Sequence, residues 1–435
     1  MPCTNIKLEA RTDRRFIRST YRSNRFILAE VTAPHAHERA PGERRRPPVN
    51  LAFVLDRSGS MAGEKLRLAK LAVEQSIVRL QPDDRFAVVV YDDSIDVIQP
   101  SVTATPGNRQ AAMSALSRVE SRGTTNLGEG WLRGCEQVAK NLQDAGVNRC
   151  LLLTDGLANV GMTDPDELAT HAVALRTRGV STTTFGVGTD FNEVLLQAMA
   201  TAGGGNFYYI AEVAQITDII TSEVGEALDV VARDVTLEID TPEGVMVETL
   251  SPFAVSSLAE RTVVSLGPLV AEQVAQVVLR LNFPFGEMGR ETGAVLSLSA
   301  AGDRDGVASG ASTSLTWEYA DGKMNDLQPR DVDVDRAVAR VFASRARQEA
   351  TGLNRVGQFP AARAALLAVA KRIRAYAGAD AEMRTVVAEL ERDATEVAAP
   401  MPAASIKDMH FRAYASAKMR TVDGRAMRLS DRDDS

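Results

Sequence analysis

Five oxygen-bearing side chains in three separate stretches of the chain form the strongest candidate for a functional site. The segment LDRSGSM places Asp56, Ser58 and Ser60 at alternate positions directly after an apolar run. Thr125 lies in the loop GTTN, and Asp155 follows the apolar run CLLLT. Together they supply two carboxylates and three hydroxyls, and they supply neither sulfur nor imidazole. Such hard oxygen donors suit Mg²⁺, Mn²⁺ or Ca²⁺ and do not suit Zn²⁺.

The number of carboxylates in this set decides what a bound cation does. Two carboxylates roughly neutralise a divalent cation, and hydroxyls complete its coordination without adding charge. A cation with one coordination position left to solvent stays electrophilic enough to accept a carboxylate from outside. The set therefore predicts capture of an acidic residue presented by a protein partner. The sequence shows no supported nucleophile–base pair, so we predict that the protein is not an enzyme.

Alternating strand and helix patterns between residues 49 and 229 must position these groups. Apolar runs of strand length, such as Asn50–Leu55 and Phe86–Tyr91, are separated by segments with helical periodicity. This alternation is typical of a doubly wound, Rossmann-like α/β domain. In such domains ligands bind beyond the carboxyl ends of the strands, which is where Asp56 and Asp155 are expected.

The segments on either side of this domain have different patterns. Residues 230–320 contain six strand-like runs separated by Pro and Gly turns, which predict an antiparallel β-sandwich. Residues 1–48 contain two strand-like pieces, too few to bury a core alone. We therefore predict that these pieces join the β-sandwich, so that the α/β domain is inserted into it. Residues 328–421 are predicted as an α-helical C-terminal region, and residues 422–435 as a tail.

The five residues, in their order and context, resemble the site of a known family. The metal-ion-dependent adhesion site (MIDAS) of von Willebrand factor A (VWA) domains has a pattern similar to Asp56-x-Ser58-x-Ser60, Thr125 and Asp155. The segments DRSGSM, GTTNLGEG and LLLTDG resemble intracellular bacterial VWA proteins and inter-alpha-trypsin-inhibitor heavy chains. The resemblance covers about residues 49–228.

This resemblance implies a role for each residue. It implies that four residues are direct or near-direct ligands of the cation, namely Asp56, Ser58, Ser60 and Thr125. Asp155 is implied to bind directly or through a water molecule. Thr125 is preferred to Thr124 because the family's threonine precedes an asparagine. Simpler roles stay open for some of these residues, since the two serines suit a helix cap and Asp155 suits a turn.

Composition and charge exclude several other classes of protein. The net charge of −7 disfavours general nucleic-acid binding, although residues 1–48 hold eleven basic against five acidic residues. No apolar run reaches the ~18–20 residues that span a bilayer, and no secretory signal is evident. Three cysteines do not suggest a disulfide framework, so we expect a cytoplasmic protein. The segment from Gly59 to Lys65 lacks the spacing of a phosphate-binding loop.

Three functions are therefore in competition. The leading hypothesis is a non-enzymatic, metal-dependent protein–protein interaction module. The second is a VWA subunit of a MoxR-like or chelatase-like assembly with an AAA+ ATPase. That ATPase would be a separate protein, because this chain has no Walker motif. The third is a hydrolase in which the metal activates water, and the lack of an accompanying His or Glu base disfavours it.

Overall fold

The computed structural model describes residues 6–35, 46–144, 146–258, 260–301 and 307–433. The described chain divides into two compact units. The first unit contains the residues up to His35, Asp234–Val422 and the residues from Ala426 onward. The second contains the described residues between these segments up to Arg233, together with Asp423–Arg425.

The first unit begins with three strands, β1 (Lys7–Thr12), β2 (Phe16–Arg18) and β3 (Ser23–Thr32). In β3 the buried side chains include Ile27, Ala29 and Val31, and polar residues alternate with them at several positions. This period of two is expected for a strand with one face against a core.

In the second unit, strands and helices alternate between residues 49 and 228. The strands are β4 (Val49–Asp56), β5 (Arg85–Tyr91), β6 (Ile95–Thr103), β7 (Val147–Thr154), β8 (Ser181–Val187) and β9 (Gly204–Ile210). The helices are α1 (Glu64–Arg79), α2 (Pro106–Ser117), α3 (Leu127–Ala139), α4 (Pro165–Thr177), α5 (Glu193–Ala202) and α6 (Ile216–Leu228). Every residue of β4 is buried, as expected for the centre of a sheet covered on both faces.

The order of the strands in this unit is β6-β5-β4-β7-β8-β9. All neighbouring strands are parallel except β6, which runs antiparallel to β5 at the edge. This is the strand order of a doubly wound sheet, in which the direction of winding reverses between β4 and β7. The predicted Rossmann-like α/β fold is therefore confirmed, and the crevice beyond β4 and β7 is its expected ligand position.

A buried glutamate holds helix α6 against this sheet. Glu223 is fully buried and pairs with the guanidinium of Arg149 on β7. Its carboxylate also accepts hydrogen bonds from Oγ1 of Thr183 (2.9 Å), the hydroxyl of Tyr208 (2.5 Å) and Nδ2 of Asn206 (3.2 Å). Because a buried charge is tolerated only when it is paired and hydrogen-bonded, these contacts define one position for α6 along the sheet.

The remaining strands belong mainly to the first unit, apart from the start of β10. They are β10 (Val230–Asp240), β11 (Met246–Thr249), β12 (Ala254–Leu258), β13 (Arg261–Val270), β14 (Val274–Phe283), β15 (Glu291–Ala301) and β16 (Val307–Ala320). With the first three strands they form two sheets, ordered β1-β3-β14-β11 and β12-β13-β10-β15-β16-β2. Strand β3 pairs antiparallel with β14 along its whole length, and β2 pairs parallel with β16.

Helices complete the first unit. They are α7 (Gly322–Leu327), α8 (Val332–Arg355), α9 (Phe359–Ala377), α10 (Ala381–Glu396), α11 (Ala403–Ala417) and α12 (Ser430–Asp433). Leu366, Ile373 and Leu390 are in a core shared by α8, α9, α10 and α11. The backbone carbonyl of Met427, in the segment predicted as a tail, accepts a hydrogen bond from the N–H of Val274 (2.9 Å). No helix within the described ranges is both long and apolar enough to cross a bilayer.

Replacing Gly134 with alanine tests how closely α3 lies against the central sheet. A Cβ atom at Gly134 would lie 2.1 Å from Cγ2 of Val54, so the helix must move away from β4. We expect the free energy of unfolding to fall by about 2 kcal/mol. Urea denaturation measures this change through the fluorescence of Trp131 on α3, in a Trp317→Phe background.

Gly225→Ala is the matched control for this substitution. A Cβ atom at Gly225, within α6, would meet nothing within 4 Å. Alanine should therefore stabilise the helix by about 0.5–1 kcal/mol, because it restricts the unfolded chain more than glycine does. Equal effects at Gly134 and Gly225 would contradict the close packing of α3.

Candidate functional site

The crevice beyond β4 and β7 brings the five predicted site residues together. Asp56 is the last residue of β4, and Ser58 and Ser60 lie in the turn that follows it. Asp155 directly follows β7. Thr125 precedes Asn126, the residue whose side chain caps the N-terminus of α3. Three loops of the doubly wound sheet thus contribute to one cluster.

Hydrogen bonds connect four of these residues in a continuous chain. Oδ1 of Asp56 accepts the N–H of Ser58 at 2.8 Å. The hydroxyls of Ser58 and Ser60 lie 3.1 Å apart. The Ser60 hydroxyl donates to Oδ1 of Asp155 at 2.7 Å. On the far side, Oδ2 of Asp56 accepts the hydroxyl of Thr154 at 2.6 Å.

The hydroxyl of Thr125 faces the same small volume. A Cβ atom at Gly156 would lie 3.2 Å from Oγ1 of Thr125 and 3.7 Å from Oγ of Ser60. A larger residue at position 156 would therefore crowd both hydroxyls. Two backbone hydrogen bonds from another loop fix the position of Thr125. Its carbonyl oxygen accepts the N–H groups of Asn159 (3.2 Å) and Val160 (3.3 Å).

Burial makes it energetically costly to keep both carboxylates of this cluster charged. Asp56 and Asp155 are fully buried, Ser58 and Thr125 are nearly so, and Ser60 is exposed. Burial raises the pKa of Asp56 to about 6, although hydrogen bonds from Thr154 and Ser58 oppose the change. The nearby charge of Asp155 raises the pKa of Asp56 further. Two buried carboxylates side by side favour a positive charge between or beside them.

Lys65 supplies one such charge, and it is not among the five predicted site residues. Its Nζ atom donates to Oδ2 of Asp155 at 2.5 Å and lies 3.4 Å from the carbonyl oxygen of Ser60. Lys65 is the second residue of α1, the helix that follows the serine-containing turn. Its position in the first turn of that helix is the signal in the sequence that places it near the serines, but this position does not specify Asp155 as its partner.

A second group of charges ties the loops of the site to each other. Arg57 is almost fully buried and donates from Nε to Oδ2 of Asp92 at 3.2 Å. The same oxygen accepts Nε of Arg122 at 2.7 Å. The backbone N–H of Arg122 donates to the carbonyl of Arg57 at 2.8 Å, and Gly59 bonds likewise to Gly123. The turn with the serines is thereby fixed to the loop that leads to Thr125. These long-range partners had no local signal in the sequence.

The donor set fits a hard divalent cation. It consists of two carboxylates and three hydroxyls, the oxygen donors that Mg²⁺, Mn²⁺ and Ca²⁺ prefer. Within the part of the chain that the structure describes, no group of three or more His, Cys, Asp or Glu residues is placed to hold a metal ion. Three of the five oxygen-bearing side chains of the cluster are hydroxyls, which are outside the residue types of such a group.

Comparison with known proteins identifies the domain that carries this cluster. The family model of the von Willebrand factor type A domain matches residues 50–222, so the chain contains a VWA domain. Such domains are typically metal-dependent protein-interaction modules and are generally not enzymes.

Related sequences match less than half of the chain. The uncharacterized protein YfbK of Escherichia coli (strain K12) is 34% identical over 197 residues, which are 45% of this chain and 34% of that protein. Human inter-alpha-trypsin inhibitor heavy chain H3 is 34% identical over 127 residues, which are 28% of this chain and 14% of that protein. The chain thus spans about a third or less of these relatives.

Two solved structures resemble the chain along nearly its whole length. A von Willebrand factor type A protein from Catenulispora acidiphila has a TM-score of 0.71, with 18% identity and 98% coverage of both chains. The ArnB paralog VWA2 from Sulfolobus acidocaldarius has a TM-score of 0.65, with 15% identity and coverage of 95% of this chain and 99% of that one. At such low identity these likenesses show the shared fold alone.

Asp92→Asn tests whether the Arg57–Asp92 pair stabilises the site loops. Burial raises the pKa of Asp92, but hydrogen bonds from Arg122, the N–H of Ser94 and Arg57 lower it more, to below its usual 3.8. An acid whose pKa falls on folding stabilises the fold above its unfolded pKa and loses that contribution as the pH falls through the folded pKa. We expect a loss of about 2 kcal/mol at pH 7.

The difference between the wild type and this variant should shrink as the pH falls below about 4. Urea denaturation at pH 7 and at lower pH measures it. The exposed neighbour Asp93 provides the matched control, and Asp93→Asn should change stability by less than about 0.5 kcal/mol. A stability difference between the wild type and Asp92→Asn that grew as the pH fell would contradict a stabilising role of the ionised Asp92.

Proposed function

We propose that this VWA domain is a non-enzymatic, metal-dependent protein-binding module. The residues proposed to hold Mg²⁺, or alternatively Mn²⁺ or Ca²⁺, are Asp56, Ser58, Ser60, Thr125 and Asp155. When bound, the cation supplies an electrophilic contact for a carboxylate oxygen of the partner. The observation that carries this proposal is the convergence of two fully buried carboxylates and three hydroxyls at the reversal point of the sheet.

The surroundings of the cluster favour binding over catalysis. Catalysis of hydrolysis at a metal requires a base that takes a proton from water. Of the histidines in the described ranges, none belongs to the three loops that form the cluster. The ammonium of Lys65 is a donor without a lone pair, so it cannot take a proton from water.

We further propose that the two sheets of the first unit form a β-sandwich, with the α/β domain inserted between its strands. The pairing of β3 with β14 and of β2 with β16 supports this proposal, because it joins residues before and after the α/β domain in common sheets. The proposed role of the sandwich and the C-terminal helices is to present the domain and add contacts to its partner. The two buried free cysteines, Cys135 and Cys150, support a proposed cytoplasmic location.

Mg²⁺ should stabilise the wild-type protein and fail to stabilise variants of the cluster. At about 100 times the dissociation constant, a bound cation adds about 2.7 kcal/mol of stability, or on the order of 5 °C in Tm. Thermal unfolding with Mg²⁺ and with EDTA measures this shift. Asp56→Ala and the isosteric Thr125→Val should both lose it. Asp166→Ala removes an exposed carboxylate at the start of α4 and should keep it.

Affinity capture from native lysate, with the wild type and the same variants as bait, identifies the partner. We expect a protein that is retained in Mg²⁺ and lost both in EDTA and with Thr125→Val. Retention under all conditions would refute metal-bridged capture and locate the binding surface elsewhere. Capture of an AAA+ ATPase in a nucleotide-dependent manner would support the alternative of an ATPase-associated subunit.

A further inference from the structure

The contact between Lys65 and Asp155 has a direct bearing on cation binding. The ammonium lies 2.5 Å from Oδ2 of Asp155, whose side chain is fully buried, while 26% of the Lys65 side chain is exposed. The other carboxylate oxygen accepts the Ser60 hydroxyl at 2.7 Å. The positive charge of Lys65, on a partly exposed side chain, thus lies against one of the two carboxylates of the cluster.

An ammonium and a divalent cation compete for such a position. Both are attracted by the same buried negative charge, and each repels the other strongly over a few ångströms in a medium less polar than water. The ammonium has no acceptor function, so it cannot itself become a ligand while it stays protonated. Filling the cluster with a cation therefore requires that the Lys65–Asp155 pair be weakened or broken.

Lys65 has a route out of this contact. Its four-carbon stem is flexible and its ammonium is readily hydrated, so moving it into water costs little. A Cβ atom built on Gly188 would lie 3.9 Å from Nζ of Lys65, an ordinary van der Waals separation, so this glycine does not crowd the ammonium. The side chain is also partly exposed already.

We propose that Lys65 is an internal competitor that sets the concentration of divalent cation at which the site fills. At low concentration its ammonium neutralises Asp155. At higher concentration Asp155 would exchange the ammonium for Mg²⁺, and the domain would then be able to capture its partner. This inference rests on the proposed function and adds its regulation. It makes Lys65 a positioning residue for Asp155, outside the proposed ligand set.

Calorimetric titration of the full chain with Mg²⁺ tests the competition. Lys65→Met keeps the length of the side chain and removes its charge, so we expect Mg²⁺ to bind at least about tenfold tighter, equivalent to about 1.4 kcal/mol. Lys65→Arg keeps the charge and should bind within about threefold of the wild type. Lys140→Met removes an exposed lysine paired with Glu136 on α3 and should leave the affinity unchanged.

A second measurement follows the side chain itself. The rate of reductive methylation of Lys65, read by peptide mass spectrometry, should rise when Mg²⁺ is added because the ammonium leaves Asp155. Lys140 serves as the internal reference, with a rate that Mg²⁺ does not change. A Lys65 rate that stays constant while the cation binds would show that the ammonium is not displaced, and would overturn the proposal.

The titrations separate failure of this inference from failure of the proposed function. Equal affinities of wild type and Lys65→Met would refute the competition and leave the metal site intact. No binding by either protein at millimolar Mg²⁺ would refute both. Binding by Lys65→Met alone would support the competition and show that the wild-type site is held closed to the cation by its own lysine.

Discussion

The burial of two carboxylates at the reversal point of one sheet is the constraint on which the site depends. Asp56 ends β4 and Asp155 directly follows the adjacent parallel strand β7, so the strand pairing itself brings the two carboxylates to the same edge of the sheet. Their charges must then be compensated, because burial alone costs several kcal/mol for each ion. The serine turn, the Thr125 loop and Lys65 surround them for this reason. Asp92 pairs with Arg57 of the serine turn and with Arg122 of the loop that leads to Thr125, and so connects these two loops.

Another buried carboxylate of the same domain, that of Glu223, has a different set of hydrogen-bond and ion-pair partners. Glu223 has a guanidinium and three neutral donors, so its charge is satisfied within the protein. Among the described contacts of Asp56, both donors are uncharged, and Asp155 receives one hydroxyl and one ammonium from a flexible side chain. The first arrangement stabilises the packing of α6. The second leaves Asp56 without a positively charged partner among the described contacts, which is the feature that the proposed cation site would use.

Much of this arrangement could be predicted from sequence because it depends on short spacing. Asp56, Ser58 and Ser60 are close in the chain, and Asp155 directly follows an apolar strand, so their meeting at a sheet edge follows from parallel topology. It was also predictable that the few N-terminal strands must pair with strands elsewhere in the chain. The residues that pair with each other in those sheets could not be predicted. The contact of Lys65 with Asp155 and the pairing of Arg57 with Asp92 could not be predicted from the sequence. The partners of long, flexible side chains are determined only when the loops have folded.

The pairing of β3 with β14 also constrains the order in which the protein folds. The two strands are about 240 residues apart, and a ribosome adding about 5–20 residues per second needs on the order of 10–50 s to reach the second strand after the first. The strands of the α/β domain lie entirely within that interval. When this domain folds first, it shortens the chain that must be closed for β3 to meet its partner. We therefore expect that prior folding of the α/β domain lowers the entropic cost of pairing β3 with β14.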